Sequence, residues 1–578
     1  MRGMILGLAL TIGWAGGAHA QTAGNDPGAC AKLADLPASL FGDPTATISS
    51  ARFVEAGPGP AEPYATMPPA PLPRHCELFG TLEQRTGANG QPYAIRFHMR
   101  LPVTWNGRFL FQGGGGINGL VGSAVGVLMG ALPQTAINLG YTVVSQDSGH
   151  DLAVNADPKL QGPATFGWDA QARRNYGFAS IGTVTKAAKT IINAYYGRMP
   201  RYSYFVGGSK GGQEGFMAAQ RFGREFDGVL SGYPGFRLAT AATAGEMWDN
   251  QAFAGVARAI GADGLPLLNK AFTDDDLALV SKAVLESCDD IDGLKDGMVF
   301  ALGQCSTSRV RPALTRITCT TDKRPDCLLP VQIDALIRVQ DGARDASGKP
   351  VYASWPWDAG IGGKAATGYF TGWRLWKLGQ YAAPVNNGLN LILAPGSVSA
   401  VLTSPPTPVA ADPTAMTRYA LGIDVMKAEA ATHVKWGAFD EAAVDFMNAQ
   451  SLNLRTFTAH GGKLLVYHGA SDPVFSINDT IAWLTAVDAH ERGKAARFVR
   501  LFAVPGFSHG AGGPATDQAD FFSALVAWTE QGVAPRTIVA TAQAETAWPG
   551  RTRLLCPYPS FAHYAGGDPE RAGSFTCR

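Results

Sequence analysis

The sequence predicts an α/β protein in which a mainly parallel sheet is covered by helices on both faces. Two observations lead to this fold class. Short apolar runs, mostly ended by glycine or proline, alternate with helical stretches in the first and last parts of the chain. A long, irregular, proline-rich stretch interrupts that alternation in the middle, and the strand pattern resumes after it, as expected when an insertion divides one sheet.

The predicted strands follow the apolar runs in chain order. Residues 93–101 alternate in polarity, with Ile95, Phe97, Met99 and Leu101 on one face, which predicts a half-buried strand. Shorter and more apolar runs predict central strands at residues 108–111, 141–145, 202–206, 463–467 and 497–504. Helices are predicted between them, notably at residues 176–196 and 212–221.

The interrupted pattern gives the domain boundaries. Residues 236–450 are irregular and contain Ser354-Trp355-Pro356-Trp357, and we predict that they form an inserted lid domain. Residues 21–235 and 451–578 carry the predicted strands and form the main domain.

The first twenty residues are typical of a secretory signal. Arg2 precedes an apolar run from Met4 to Trp14, and Ala18-His19-Ala20 supplies small residues for cleavage. This run is shorter than the roughly 18 apolar residues that a membrane-spanning helix needs, and no later stretch provides them. We therefore exclude residues 1–20 from the fold and expect a secreted or periplasmic protein without a membrane span.

The eight cysteines are consistent with export, because an even number in an oxidising compartment favours disulfides. Many pairings remain open on sequence alone. Proximity along the chain suggests three bonds, and elimination then leaves a fourth: Cys288–Cys305, Cys319–Cys327, Cys556–Cys577 and Cys30–Cys76.

The charge balance limits the class of partner. The formal net charge is +1, and the chain lacks the basic stripe of a nucleic-acid-binding protein and a polybasic membrane anchor. We expect a small or weakly charged substrate and no nucleic-acid partner.

The strongest chemical motif surrounds Ser209. A predicted strand runs into Gly207-Gly208-Ser209-Lys210-Gly211, and a predicted helix follows at once. Gly-x-Ser-x-Gly between a strand and a helix is the nucleophile elbow of the α/β-hydrolases, where the sharp turn lifts the serine hydroxyl above the sheet. In a glycine-rich chain the five residues alone are a weak signal, and their context makes them specific.

Two later strand ends supply the partners that a serine nucleophile needs. Asp472 follows the strand at 463–467, and His509 follows the next one, in the order Ser, Asp, His that this fold requires. A turn role for Asp472 and a solvated-loop role for His509 are the alternatives. His468 competes as the base, but its position before Asp472 favours a packing or supporting role. The three residues together predict an α/β-hydrolase fold with a large inserted lid domain.

The oxyanion of an acyl-transfer reaction needs backbone donors as well. The amide of Lys210, directly after the nucleophile, is predicted to supply one. Four glycines after the strand ending at Phe111 are a good source of the second, and we assign it to Gly116. The alternative reading of this glycine run is a flexible turn.

An acidic cluster lies between Cys288 and Met298. Its closely spaced carboxylates could surround a hard cation, although the spacing is not that of an EF-hand. A solvated acidic turn is the alternative.

These motifs resemble the tannase and feruloyl esterase family and, within it, the hydrolases of mono(2-hydroxyethyl) terephthalate. The resemblance covers nearly the whole mature chain and includes Tyr195-Tyr196-Gly197, Phe226-Asp227-Gly228 and Val504-Pro505-Gly506 besides the serine and acidic motifs. It implies a structural Ca²⁺ in the lid and supports the four disulfides. The implied calcium ligands are the carboxylates of Asp289, Asp292 and Asp296 and the carbonyls of Leu294 and Met298.

Two departures from the family pattern concern the substrate site. Relatives usually carry bonded cysteines just before the nucleophile and just after the histidine, whereas both positions here are glycine, Gly208 and Gly510. The resemblance also implies aromatic walls, for which Phe475 and Trp376 are the candidates. It further implies an arginine that binds a substrate carboxylate, but no residue is assigned to this role, because residues 386–407 contain no Arg or Lys. Arg374 and Lys377 lie nearby in sequence.

The sequence therefore predicts a secreted serine esterase that hydrolyses small aromatic carboxylic esters of the feruloyl, galloyl or terephthalate type through an acyl-enzyme. Two alternatives remain open at this point. One is an esterase of aliphatic oligoesters, and the other is a calcium-stabilised secreted binding protein that keeps the fold without turnover.

Overall fold

The computed structural model describes residues 26–60, 70–130, 133–362 and 372–578. The predicted signal segment, residues 1–20, lies outside these ranges. Among the described residues, no helix has both the length and the apolar character needed to cross a bilayer.

Fourteen strands are assigned in the described ranges, and nine of them form one sheet in the order β1-β2-β3-β5-β4-β6-β7-β8-β9. Strands β10 to β12 and β13 to β14 form two small sheets near the C-terminus. The bounds are β1 Thr47–Val54, β2 His75–Thr86, β3 Pro92–Pro102, β4 Arg108–Gln112, β5 Thr142–Gln146, β6 Tyr202–Gly208, β7 Gly228–Gly232, β8 Lys463–Gly469, β9 Val499–Val504, β10 Thr516–Ala519, β11 Ile538–Ala542, β12 Thr552–Leu555, β13 Ala562–Tyr564 and β14 Phe575–Cys577.

The α-helices of the described ranges lie between and after these strands. They are α1 Pro27–Ala31, α2 Ala170–Arg174, α3 Ser180–Tyr196, α4 Lys210–Arg221, α5 Leu238–Thr240, α6 Met247–Ala254, α7 Asp274–Cys288, α8 Thr307–Arg316, α9 Pro330–Gln340, α10 Trp373–Lys377, α11 Leu389–Gly396, α12 Pro413–Gly422, α13 Val425–Ala431, α14 Ala443–Phe446, α15 Arg455–Ala459, α16 Ile477–His490 and α17 Phe521–Gln531.

The main sheet is mixed, with a parallel part and an antiparallel extension. Strands β4 to β9 pair in parallel, and β1, β2 and β3 extend the sheet by antiparallel pairing beyond β5. The predicted mainly parallel sheet is therefore confirmed. Strands β1 and β2 and the two small C-terminal sheets were not predicted.

Apolar side chains cover both faces of the sheet. One face packs against α3, α4 and α16, through residues such as Ile181, Phe216 and Trp483. The other packs against α17 through Phe521 and Phe522. Because both faces are buried, the central strands consist almost wholly of apolar residues, which is why their sequence shows runs and not alternation.

Residues 233–462 connect the neighbouring strands β7 and β8, and we call this segment the insertion. Its described part is helical and contributes to its own apolar cluster, with Phe253, Val280, Leu336 and Trp357 at low exposure. The division into a lid domain at residues 236 and 450 stays a prediction.

The four expected disulfides are all present: Cys30–Cys76, Cys288–Cys305, Cys319–Cys327 and Cys556–Cys577. None of the cysteines in the described ranges is free. The first bond joins α1 to β2, so it attaches the N-terminal segment to the antiparallel extension of the sheet.

Candidate active site

The carboxyl ends of the parallel strands meet at one edge of the sheet. Strand β4 ends at the glycine run, β6 at Ser209, β8 just before Asp472 and β9 just before His509. Parallel strands place their carboxyl ends side by side, so residues that are far apart in sequence converge at this edge.

Ser209 stands at a sharp turn between β6 and α4. Its backbone has φ 61° and ψ −123°, a conformation that a residue with a side chain rarely adopts. The turn requires glycine at Gly207, because a Cβ there would lie 2.6 Å from the carbonyl oxygen of Gly211. The motif therefore forms the strained elbow expected from the sequence, with the serine side chain at the N-terminus of α4.

A hydrogen-bonded chain connects the three residues predicted at the strand ends. Nε2 of His509 lies 2.8 Å from Oγ of Ser209. Nδ1 of the same ring lies 3.0 and 2.9 Å from the two carboxylate oxygens of Asp472. Asp472 and His509 are buried. This arrangement lets the imidazole accept a proton from the serine while the carboxylate fixes its orientation.

Asp472 has a second histidine neighbour. His468 is fully buried, and its Nε2 lies 3.2 Å from Oδ2 of Asp472 while its Nδ1 lies 3.0 Å from the Thr480 hydroxyl. Burial opposes ionisation of Asp472, but His509 and His468 outweigh it and hold the pKa of this carboxyl well below its usual range. His468 therefore helps His509 to keep this carboxylate charged.

The glycine loop after β4 is held against the elbow by polar contacts. The amide of Gly114 donates to Oε2 of Glu214 at 2.9 Å, and the Tyr176 hydroxyl donates to the Gly116 carbonyl at 3.1 Å. A Cβ at Gly211 would lie 2.4 Å from the Gly114 carbonyl, so the loop passes directly over the start of α4. Sequence reasoning missed Glu214 and Tyr176, since nothing local in the sequence connects them with this loop.

Lys210 combines two features. Its amide belongs to the first residue of α4, next to Ser209, where the helix N-terminus favours negative charge. Its side chain is buried, bonds Glu214 at 3.0 Å and lies 4.5 Å from the centre of the Tyr176 ring. The ammonium group therefore neutralises the carboxylate that holds the glycine loop.

Three aromatic rings from the described part of the chain lie around His509. Trp376 and Phe475, the predicted walls, have ring centres 4.9 and 5.5 Å from the imidazole centre. Tyr233, which sequence reasoning missed, is edge-on to the imidazole at 4.9 Å. These rings give the base an apolar, aromatic environment.

Asp358 is a further residue that sequence reasoning missed. This buried carboxylate comes from the insertion and accepts hydrogen bonds from the Ser471 hydroxyl and, at 3.0 Å, from the Gly506 amide. Ser471 precedes Asp472 in sequence, and Gly506 begins the loop that carries His509. Asp358 thus connects the insertion to both loops.

The two cations near Trp376 in sequence are already paired. Nε of Arg374 lies 3.0 Å from Asp274, and its terminal nitrogens donate to the backbone carbonyls of Phe272 and Asn269, which precede α7. The Lys377 ammonium is buried, bonds Asp249 and lies 3.5 Å from the centre of the Trp355 ring. Both charges are therefore compensated within the protein.

The acidic loop after α7 folds around its own backbone. The Asp289 carboxylate accepts hydrogen bonds at 3.1 to 3.2 Å from the amides of Asp296, Gly297 and Met298. Among the described residues, no three His, Cys, Asp or Glu side chains converge closely enough to hold a metal ion.

The remaining members of the loop differ in their partners. Asp296 pairs with Arg553 at 2.5 Å, whereas the Asp292 side chain accepts hydrogen bonds from the backbone amides of Leu294 and Phe300. Burial, and then the charge of Asp296, raises the pKa of Asp292 to about 7. Buried carboxylates without a matching cation are the oxygen donors that suit Ca²⁺, so the donor chemistry fits the implied ion.

Similarity to known proteins identifies the family of this chain. The family description "Tannase and feruloyl esterase" matches residues 76–578. The chain belongs to the tannase and feruloyl esterase family. It is 39% identical over 569 residues to a mono(2-hydroxyethyl) terephthalate hydrolase of Piscinibacter sakaiensis, covering 95% of this chain and 91% of that protein. It is also 23% identical over 544 residues to a tannase of Aspergillus oryzae, covering 84% and 82%.

Solved structures agree on the fold of this tannase and feruloyl esterase family member. An esterase of Aspergillus oryzae superimposes with a TM-score of 0.71 at 21% identity, covering 96% of this chain and 100% of that chain. Feruloyl esterase B of Aspergillus oryzae gives a TM-score of 0.70 at 20% identity, with the same coverage. The family consists of carboxylic ester hydrolases, which assigns the class of activity.

Proposed function

We propose that this protein is a serine esterase in which Ser209 is the nucleophile, His509 the general base and Asp472 the residue that orients the base. The observation that supports this most strongly is the continuous hydrogen-bonded chain from the Ser209 hydroxyl through the imidazole to the buried carboxylate.

The proposed reaction follows from that geometry. Ser209 attacks the ester carbonyl while Nε2 of His509 accepts its proton and then protonates the leaving alcohol. Asp472 stabilises the imidazolium because its low pKa keeps it ionised. The amides of Lys210 and Gly116 are proposed to hold the oxyanion, and water then releases the acid from the acyl-enzyme.

The proposed substrate is an aromatic ester whose acyl group carries no charge. Trp376, Phe475 and Tyr233 surround the base with aromatic faces, on which a planar acyl group packs well. Arg374 and Lys377 are paired with carboxylates of the insertion and are not available to a substrate carboxylate. We therefore propose a preference for neutral aromatic esters over monoesters with a free carboxylate.

The test is hydrolysis of a matched panel by the wild type and by Ser209→Ala. Bis- and mono(2-hydroxyethyl) terephthalate share the acyl ring and the alcohol but differ in charge, and we expect kcat/KM to be roughly tenfold higher for the neutral diester. Methyl ferulate and tributyrin serve as the uncharged aromatic and aliphatic references. Faster turnover of the monoester would overturn the proposed preference.

The same experiment also tests the serine mechanism. Ser209→Ala should lose more than roughly 10³-fold in kcat while its melting temperature stays near that of the wild type. Activity retained by Ser209→Ala would contradict the nucleophile, and absence of turnover by folded wild type would favour a binding protein.

Two further proposals concern stability and location. We propose that Ca²⁺ binds the acidic loop through the carboxylates of Asp289, Asp292 and Asp296 and the carbonyls of Leu294 and Met298, where it would neutralise buried charge. We also propose that the protein is exported, since its four disulfides are typical of oxidising compartments.

A further inference from the structure

The phenol ring of Tyr233 lies between the nucleophile elbow and the loop that carries the base. Tyr233 directly follows β7, and 8% of its side chain is exposed. Its backbone has φ 32°, in the left-handed region that a residue with a side chain rarely adopts. Such a conformation is unfavourable and persists only where the surrounding structure fixes it.

The ring lies against two glycines, one on each side. A Cβ built at Gly208, the residue before Ser209, would lie 2.5 Å from the Tyr233 hydroxyl oxygen. A Cβ built at Gly510, the residue after His509, would lie 3.4 Å from the same oxygen. The end of the Met129 side chain also borders the Gly208 position, at 2.5 Å. The hydroxyl therefore occupies the space where side chains from positions 208 and 510 would meet.

Other contacts hold the ring in that space. The Tyr233 amide donates to the Tyr467 carbonyl at 2.8 Å, and the two rings meet edge to face at 5.7 Å. Tyr467 in turn stacks on Phe521 of α17 at 4.2 Å. On its other side, Tyr233 is edge-on to the imidazole of His509 at 4.9 Å. A chain of rings thus runs from α17 to the base.

We infer that Tyr233 is a positioning residue, whose ring holds the His509 loop against the Ser209 elbow in the place where a covalent crosslink between positions 208 and 510 would otherwise fit. The inference rests on the proposed serine mechanism. It explains why position 208 is glycine, since any side chain there would overlap the ring, whereas glycine at position 510 also suits a backbone with φ 81°.

The physical consequence concerns the distance between the imidazole and the serine hydroxyl. Removing the ring leaves a cavity beside His509, and the loop that carries this residue then gains freedom to move. Because the ring contacts the imidazole of the base, its loss should reduce kcat more than it raises KM. Displacement of a reacting group by about 1 Å can cost on the order of 100-fold in rate.

The first experiment compares Tyr233→Ala with Tyr233→Phe on a neutral aromatic ester. Tyr233→Phe keeps the ring and should retain kcat within roughly threefold, whereas Tyr233→Ala should lose roughly 10- to 100-fold in kcat with KM changed less than about threefold. The pH profile of kcat/KM should shift in Tyr233→Ala alone, because only that variant changes the environment of the imidazole. If Tyr233→Ala does not fold, Tyr233→Leu replaces it, with the same expectation.

The second experiment restores the connection covalently. Gly208→Cys and Gly510→Cys are introduced together into Tyr233→Ala, with the corresponding serine pair as the control that cannot crosslink. The oxidised cysteine variant should recover kcat by at least about tenfold over Tyr233→Ala, and mild reduction should abolish the recovery. Mass spectrometry establishes whether the bond has formed, and equally treated Tyr233→Ala reports any effect of the reductant on the native disulfides.

Two results would overturn the inference. One is a Tyr233→Ala enzyme with wild-type kcat and an unshifted pH profile. The other is a crosslink that forms at positions 208 and 510 without restoring kcat. If the crosslink does not form, the comparison of Ala with Phe decides. Failure of the serine mechanism itself would be visible separately, as activity in Ser209→Ala.

Discussion

Asp472 at the edge of the sheet and Glu246 in the insertion are both buried carboxyl groups, yet their pKa values move in opposite directions. Asp472 lies between two imidazoles and stays ionised. Burial, and then the charge of Asp249, raises the pKa of Glu246 to about 8, and the nearby ammonium of Lys377 offsets only part of this shift. The sheet edge surrounds its charge with partners, whereas the insertion keeps this carboxyl group neutral. Asp472 therefore contributes through its negative charge, whereas Glu246 contributes as a neutral, packed side chain.

The largest effect is expected from removing the charge at the sheet edge. Asp472→Asn should lower kcat by roughly 10³- to 10⁴-fold at pH 7, because the amide cannot stabilise the imidazolium or select its tautomer. The measurement is steady-state hydrolysis of a neutral aromatic ester, with the melting temperature as the control for folding. A variant within tenfold of the wild type would assign the orienting role to another group.

Variants of Asp358 test whether the insertion and the sheet edge act independently. Asp358→Ala should lower kcat by roughly 10- to 100-fold, because Ser471 and the Gly506 amide lose the acceptor that holds both catalytic loops. Asp358→Asn is the matched control and should stay within roughly threefold, since it keeps an acceptor oxygen. Equal losses in the two variants would show that the charge matters and not the hydrogen bonds.

The pH dependence of the free energy of unfolding tests whether Glu246 is neutral, in contrast to Asp472. Its folded pKa of about 8 exceeds the usual value of 4.5, so the unfolded chain releases this proton first. The wild type therefore loses stability as pH rises from 4.5 to about 8, and Glu246→Gln does not share that loss. Between pH 5 and pH 8 the free energy of unfolding of Glu246→Gln should rise relative to the wild type by about 3.5 kcal/mol, measured by urea denaturation. A difference that does not vary with pH would contradict a neutral Glu246.

The smallest expected effect concerns the acidic loop. Chelation of Ca²⁺ should lower the melting temperature by about 3–5 °C with little change in kcat of the remaining folded enzyme. Asp292→Asn should abolish the response, and Mg²⁺ should restore less than Ca²⁺ does, since it accepts fewer ligands in a stricter geometry. A melting temperature that is insensitive to chelation would remove calcium from the proposal.

The sheet and its edge could be predicted from the sequence, because each sequence pattern that indicates them is local. An apolar run, a turn residue and the chain order were enough to predict β6 with Ser209, β8 with Asp472 and β9 with His509. Strand β2 was missed because His75 and Glu77, polar residues that the structure buries, hide its apolar pattern.

The residues that support the site could not be predicted from the sequence, because their roles depend on contacts between residues that are far apart in the chain. Asp358 lies more than a hundred residues from both of its partners in sequence, and Glu214 lies a hundred residues from Gly114. Tyr233 stands in an ordinary Gly-Tyr-Pro-Gly turn whose sequence gives no hint of His509. Such long-range partners become visible only when the sheet brings them together.

The contact of Asp358 with two loops also bears on how such a protein can recombine. The insertion begins and ends on adjacent strands, which makes it look like a cassette that relatives could exchange. A hybrid that receives only the insertion of a relative would carry that relative's residue in place of Asp358. The hydrogen bonds to Ser471 and Gly506 would then depend on that residue, or they would be lost. We therefore expect functional hybrids to inherit the insertion together with the chain that follows it through the end of the His509 loop, as one unit.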